Sequence, residues 1–81
     1  IQIEVNPIVY PNPSNGGLFT IDNIDLDSKI SVRDILGNII WLQNKSINKK
    51  VYLDLRQYQK GAYLVTIERD GEAYTQKLLY Y

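Results

Sequence analysis

The chain has 81 residues, room for one domain, and a domain of that size buries only about 60% of the surface its unfolded chain would expose. Its 9 Lys and Arg balance 9 Asp and Glu, which removes the cationic field that nucleic acid or an anionic membrane surface requires. Cys, His and Met are absent, so disulfides, thiolate or Ser-His-Asp chemistry and the common zinc sites are excluded within this chain. With hydrophobic residues at 44%, a folded domain is expected, not a disordered tail.

Apolar residues recur with a period of two, the strand signature, and no segment carries a helical period. The first predicted strand runs from Ile3 to Tyr10 and is broken at Pro7. Residues 1–8 are a boundary segment or the first strand of a single domain spanning 1–81. Pro11-Asn12-Pro13-Ser14-Asn15-Gly16-Gly17 then interrupts any ladder: two prolines remove donors, and the glycines permit positive φ. The segment reads as a rigid corner, an exposed docking loop, or both. Leu18 to Ile21 is the next strand, followed by a polar connection through Asp25 and Asp27, then Lys29 to Arg33. Asp34-Ile35-Leu36-Gly37 has the residues of a type I turn, Asp first and Gly fourth. Asn38 to Gln43 and Lys49 to Leu55 are strands on either side of a polar loop, in which Asn44-Lys45-Ser46 is a chance glycosylation pattern. A short irregular crossing ends at Gly61, which is expected to have positive φ. Ala62 to Arg69 and Glu72 to Tyr80 form a hairpin about Asp70-Gly71, the strongest turn signal present. A two-residue turn there pairs Arg69 with Glu72, Ile67 with Tyr74, Tyr63 with Leu78 and Leu64 with Lys77. It also puts Gln76 on the core face opposite Val65. The fold class is therefore all-β: a single immunoglobulin-like antiparallel β-sandwich of about seven strands.

Candidate chemical sites are few. Asp22, Asp25 and Asp27 lack the spacing of a calcium loop and read as solvated. Asp54 points away from the face shared by Leu53 and Leu55 and reads as a surface acid. The seven tyrosines and Trp41 would make a sugar platform only if several faced solvent together. Tyr63 and Tyr74 belong to the core face, while Trp41 and Tyr52 fit either side. No catalytic residue, metal site or cofactor site emerges, and an enzyme is not expected.

Four segments in order carry a resemblance. They are Tyr10-Pro11-Asn12-Pro13-Ser14-Asn15-Gly16-Gly17-Leu18-Phe19, Val32-Arg33-Asp34-Ile35-Leu36-Gly37-Asn38, Lys60-Gly61-Ala62-Tyr63-Leu64-Val65 and Lys77-Leu78-Leu79. From about Val9 onward the chain resembles the C-terminal sorting domain of type IX (Por) secretion cargo, type A. It departs from that pattern in ending on Tyr80-Tyr81 where a basic residue is common. The resemblance implies a sorting signal that directs a Gram-negative bacterial protein across the outer membrane. It implies a dedicated translocon and its β-barrel shuttle protein as partners, and a cysteine-protease-like sortase that removes the domain. It implies passage through the periplasm to the cell surface or the medium. It makes Pro11, Asn12, Pro13, Asn15, Gly16, Asp34, Gly37, Gly61, Tyr63, Lys77 and Leu78 the recognition candidates. A monomer with no nucleic-acid partner, small-molecule substrate or cofactor is expected. The other reading is an immunoglobulin- or fibronectin-like accessory module of a secreted enzyme or adhesin, binding carbohydrate or spacing domains. The absence of Met and the start at Ile1 fit a processed product or a fragment.

Overall fold

A computed structural model describes residues 6–81; the Ile3 to Val5 part of the first predicted strand lies outside them. Every element among the described residues is a strand: β1 (Ile8–Tyr10), β2 (Leu18–Asp22), β3 (Lys29–Arg33), β4 (Ile39–Gln43), β5 (Val51–Asp54), β6 (Gly61–Arg69) and β7 (Glu72–Tyr80). They form two antiparallel sheets, a three-stranded one in the order β1-β2-β5 and a four-stranded one in the order β4-β3-β6-β7.

The alternation read from the sequence decides which side chains meet between the sheets. Phe19, Ile21, Val51 and Leu53 from the smaller sheet pack against Ile30, Val32, Tyr63, Val65, Ile67 and Leu78 from the larger. Ile24 and Leu55, from connections, close the two ends of this core. Removing so much apolar side-chain surface from water is the main term favouring the fold.

The β6–β7 register is the expected one along nine pairs, from Gly61↔Tyr80 to Arg69↔Glu72. Gln76 does lie opposite Val65. The edge position of β7 leaves it only half-buried, and its amide accepts from the Tyr74 hydroxyl at 3.2 Å and donates to the Lys77 carbonyl at 3.2 Å. A polar side chain on a core face is tolerated where its bonds are satisfied. The β3–β4 hairpin also forms as expected: Gly37 N–H donates to the Asp34 carbonyl at 3.1 Å, and Gly37 has φ +89°. This is a type I turn followed by a left-handed residue, the three-residue hairpin loop. The observed strands are shorter than predicted at Asn38, Lys49, Lys50 and Leu55. Asn38 lies within the β3–β4 turn and bonds Asp34, whereas at the ends of β5 the Lys49 carbonyl accepts from Ile24 N–H and Leu55 N–H donates to the Gly17 carbonyl, both in connections.

The end opposite the β3–β4 turn is locked by two buried serines. Ser28 and Ser46 both donate from Oγ to the Asp25 carbonyl, at 2.6 and 2.9 Å, and Ser46 Oγ also accepts from Ser28 N–H at 3.0 Å. The carboxylates of this region face cations: Asp22 with Lys50, Asp27 with Lys45, and Asp25 with Arg69.

Candidate functional site

The loops at the other end gather most of the recognition candidates. Asp34 closes the β3–β4 turn through three bonds. Its Oδ1 accepts from Leu36 N–H and Asn38 N–H, both at 2.9 Å, and its Oδ2 accepts from Asn38 Nδ2 at 3.2 Å. The Asn38 backbone N–H is the largest influence holding this carboxyl below its ordinary value. With the ends of the turn so fixed, its two central residues, Ile35 and Leu36, project into solvent, each 81% exposed. Apolar side chains at the tip of a type I turn are unusual, since polar residues suit that position better.

Gly61 opens β6 beside this turn with φ +153°, the positive φ expected of it. Two residues on, Tyr63 is buried, and its hydroxyl donates to the Gln59 carbonyl. Burial is the leading cause of the upward shift of that phenol's pKa. Tyr58 plugs the crossing by donating its hydroxyl to the Ile40 carbonyl at 2.8 Å. Two adjoining grooves result. One, of about 370 Å³, lies between Leu36, Tyr58 and Gly61, and the other, of about 400 Å³, lies between Ile35, Leu64 and Lys77. Asp34 and Tyr63 line both.

In the second groove the register sets the electrostatics. Arg33 pairs with Leu64, and Leu64 with Lys77. Two cations therefore flank one leucine on the outer face of the larger sheet, about two strand spacings or 10 Å apart. None of the ion pairs among the described residues uses either of them.

The proline-rich segment reaches the same region from the other sheet. Asn12 donates from Nδ2 to the Lys77 carbonyl at 2.7 Å and accepts at Oδ1 from Leu79 N–H at 3.1 Å. Ser14 continues the contact: its N–H donates to the Leu79 carbonyl at 2.9 Å, and its carbonyl accepts from Tyr81 N–H at 3.0 Å. Gly17 then passes so close to Tyr80 that a Cβ there would sit 2.9 Å from the ring. The segment is a strap that pairs with the outer edge of β7 over its last residues. Pro11, Pro13, Asn15 and Gly16 remain on its exposed side, while Asn12 is engaged inward.

Asp34, Gly37, Gly61, Tyr63 and Lys77 are thus brought together, with Asn12 bonded to the Lys77 backbone. Leu78 is separate: fully buried, it serves the core. Arg33, Ile35, Leu36 and Leu64 also belong to the site and were not among the candidates. For Ile35 and Leu36 the signal was present, as two apolar residues inside an evident turn.

A family model described as "Secretion system C-terminal sorting domain" matches residues 8–80. Among solved structures, a similar chain is PorZ of Porphyromonas gingivalis, described as an essential bacterial surface component of the type-IX secretion system. The two are 19% identical with a TM-score of 0.81. The match covers 93% of this chain and only 11% of PorZ, so the likeness is one of fold. No curated protein matches the sequence.

Proposed function

This chain belongs to the family of secretion system C-terminal sorting domains, and we propose that its sorting signal is read from the end where Asp34, Gly61, Tyr63 and Lys77 converge. The domain is a C-terminal sorting signal of type IX secretion, which implies export of its parent across the outer membrane to the surface or the medium. In our reading it is a non-enzymatic recognition module. The β-barrel shuttle protein of the outer-membrane translocon docks on the folded domain after it reaches the periplasm. A cysteine-protease-like sortase then removes it, leaving cargo anchored at the surface or released.

One observation carries this reading: Asp34, Gly37, Gly61, Tyr63 and Lys77 share one end, and β1 begins at the other. Ile8 pairs with Asp22, next to the serine-locked loops, so β1 begins at the end away from Asp34, Gly61, Tyr63 and Lys77. The end with those four residues also offers what a docking partner needs, exposed apolar side chains beside charge that no ion pair among the described residues uses.

The test separates docking from folding. Ile35→Ser with Leu36→Ser, and separately Lys77→Ala, are exposed changes expected to shift stability by no more than about 0.5 kcal/mol. Export of a fused reporter should fall markedly in both while melting temperatures stay level. Undiminished export in both would place recognition elsewhere.

A further inference from the structure

The outer face of the three-stranded sheet carries an aromatic side chain that the core does not use. Tyr52 on β5 is 75% exposed, and two open grooves meet at it. One, of about 600 Å³, separates Tyr52 from the proline-rich strap, over Thr20. The other, of about 520 Å³, separates Tyr52 from Trp41, with Asp54, Arg56 and Gln57 along it. Trp41 stands on the edge strand of the opposite sheet, half-buried against the core. The second groove therefore bridges the free edges of both sheets. Tyr10 lies in the same cross-strand row, because Tyr10 and Tyr52 both pair with Thr20. Two phenol side chains thus share one outer face about 10 Å apart, two strand spacings.

The polar groups of the groove select the ligand class. Asp54 and Arg56 hold each other through bonds of 3.0 and 2.8 Å, so their charges cancel locally. A charged ligand gains little from a neutralised pair. A hydroxyl-rich ligand gains more, because carboxylate and guanidinium are held in fixed orientation with bonding capacity left over. Among the described residues, no side-chain hydrogen bond within the chain engages the Tyr52 hydroxyl or the Gln57 amide. Aromatic walls with a few convergent polar groups have the composition of a ligand groove. A pyranose satisfies both parts: its C–H face lies on a ring, and its hydroxyls bond along the rim. The separation of the two tyrosines, and the paired grooves on either side of Tyr52, suit an extended chain of sugars better than a single one.

We propose that the outer face of β2 and β5, with Trp41, binds neutral oligosaccharides, with Tyr52 as the stacking residue and Asp54, Arg56 and Gln57 as the polar rim. This surface uses none of Asp34, Gly61, Tyr63 or Lys77 and meets the sorting end only at the strap, along the first groove.

Trp41 is the single tryptophan of the chain and lies in the groove, so its emission reports occupancy. Purified chain titrated with cellohexaose, mannohexaose and galactohexaose should show a saturable change in that emission with at least one of them. Tyr52→Ala should weaken that binding about tenfold, the loss expected for one stacking ring, while the melting curve stays unchanged. Gln57→Ala, also exposed, should give a smaller loss and supplies the comparison if Tyr52→Ala is unstable. The proposal is overturned if none of the three sugars gives a saturable change at millimolar concentration. It is equally overturned if binding is as tight in both variants as in the unsubstituted chain.

Discussion

Asp34 shows how one side chain organises the end proposed for recognition. Its carboxylate accepts three N–H groups of its own turn and so exposes Ile35 and Leu36. Its folded-state pKa lies below the ordinary 3.8, and Asp54, bonded first of all by the Arg56 side chain, is lowered to about 2. For a depressed carboxyl, the stabilisation is fully present above the unfolded value and is lost as pH falls through the folded one. Denaturant melts should therefore be level near neutrality and decline as pH drops from the ordinary 3.8 towards about 2. Asp34→Asn should shallow that decline and lower stability at pH 7, because its Nδ2 would face the Asn38 amide donor. An acid limb as steep in the variant as in the unsubstituted chain would contradict this role. Gly61 makes a second residue-scale case. At φ +153° a β-branched side chain is strained, although open space surrounds the position. Gly61→Val should cost more than about 1 kcal/mol in chemical denaturation, and unchanged stability would refute the strain argument.

Among the elements, the β6–β7 hairpin was legible to within one residue and the strap was not. Asp70-Gly71 sets the turn, and alternation sets the face, so eight pairs followed from local pattern alone, and the ninth, Gly61↔Tyr80, extends them by one residue. The bonds from Asn12 to Lys77 and Leu79 span 65 and 67 residues, and no periodicity signals a side chain that substitutes for backbone. The proline-rich segment could be read as a break in the ladder, but not as the cover of a strand edge. An uncovered edge is a template for association, so the strap has a second consequence beyond stability. Asn12→Ala removes one donor and one acceptor from the β7 edge, and the expected cost is about 1–3 kcal/mol. The variant should also self-associate more readily at high concentration. A variant that stays as stable and as monomeric as the unsubstituted chain in sedimentation and thermal melts would show that the strap contributes nothing. Trp41 and Tyr52 were ambiguous for a different reason. Each stands on an edge strand, where alternation gives a face but not how much of it a neighbour covers. The fold leaves Tyr52 in solvent and half-covers Trp41.

In the whole molecule, the sandwich has two differently built ends. One is closed by Ser28, Ser46 and paired carboxylates and receives the chain at Ile8. The other gathers Asp34, Gly61, Tyr63, Lys77 and the strap. The strands and their alternation implied a sandwich, but the division into β1-β2-β5 and β4-β3-β6-β7 rests on which faces bury together over long separations. The central claim is that this folded domain is sufficient for sorting. The direct measurement fuses the chain to the C-terminus of an inert reporter bearing a secretory signal peptide, in a bacterium with a type IX system, and locates the reporter. The full domain should bring it to the surface or the medium. Removing Glu72 to Tyr81 takes away β7 and unpairs the edge of β6 beside Tyr63, Val65 and Ile67, so that fusion should remain in the periplasm. A full-length fusion retained in the periplasm, in cells that export their own cargo, would contradict the account.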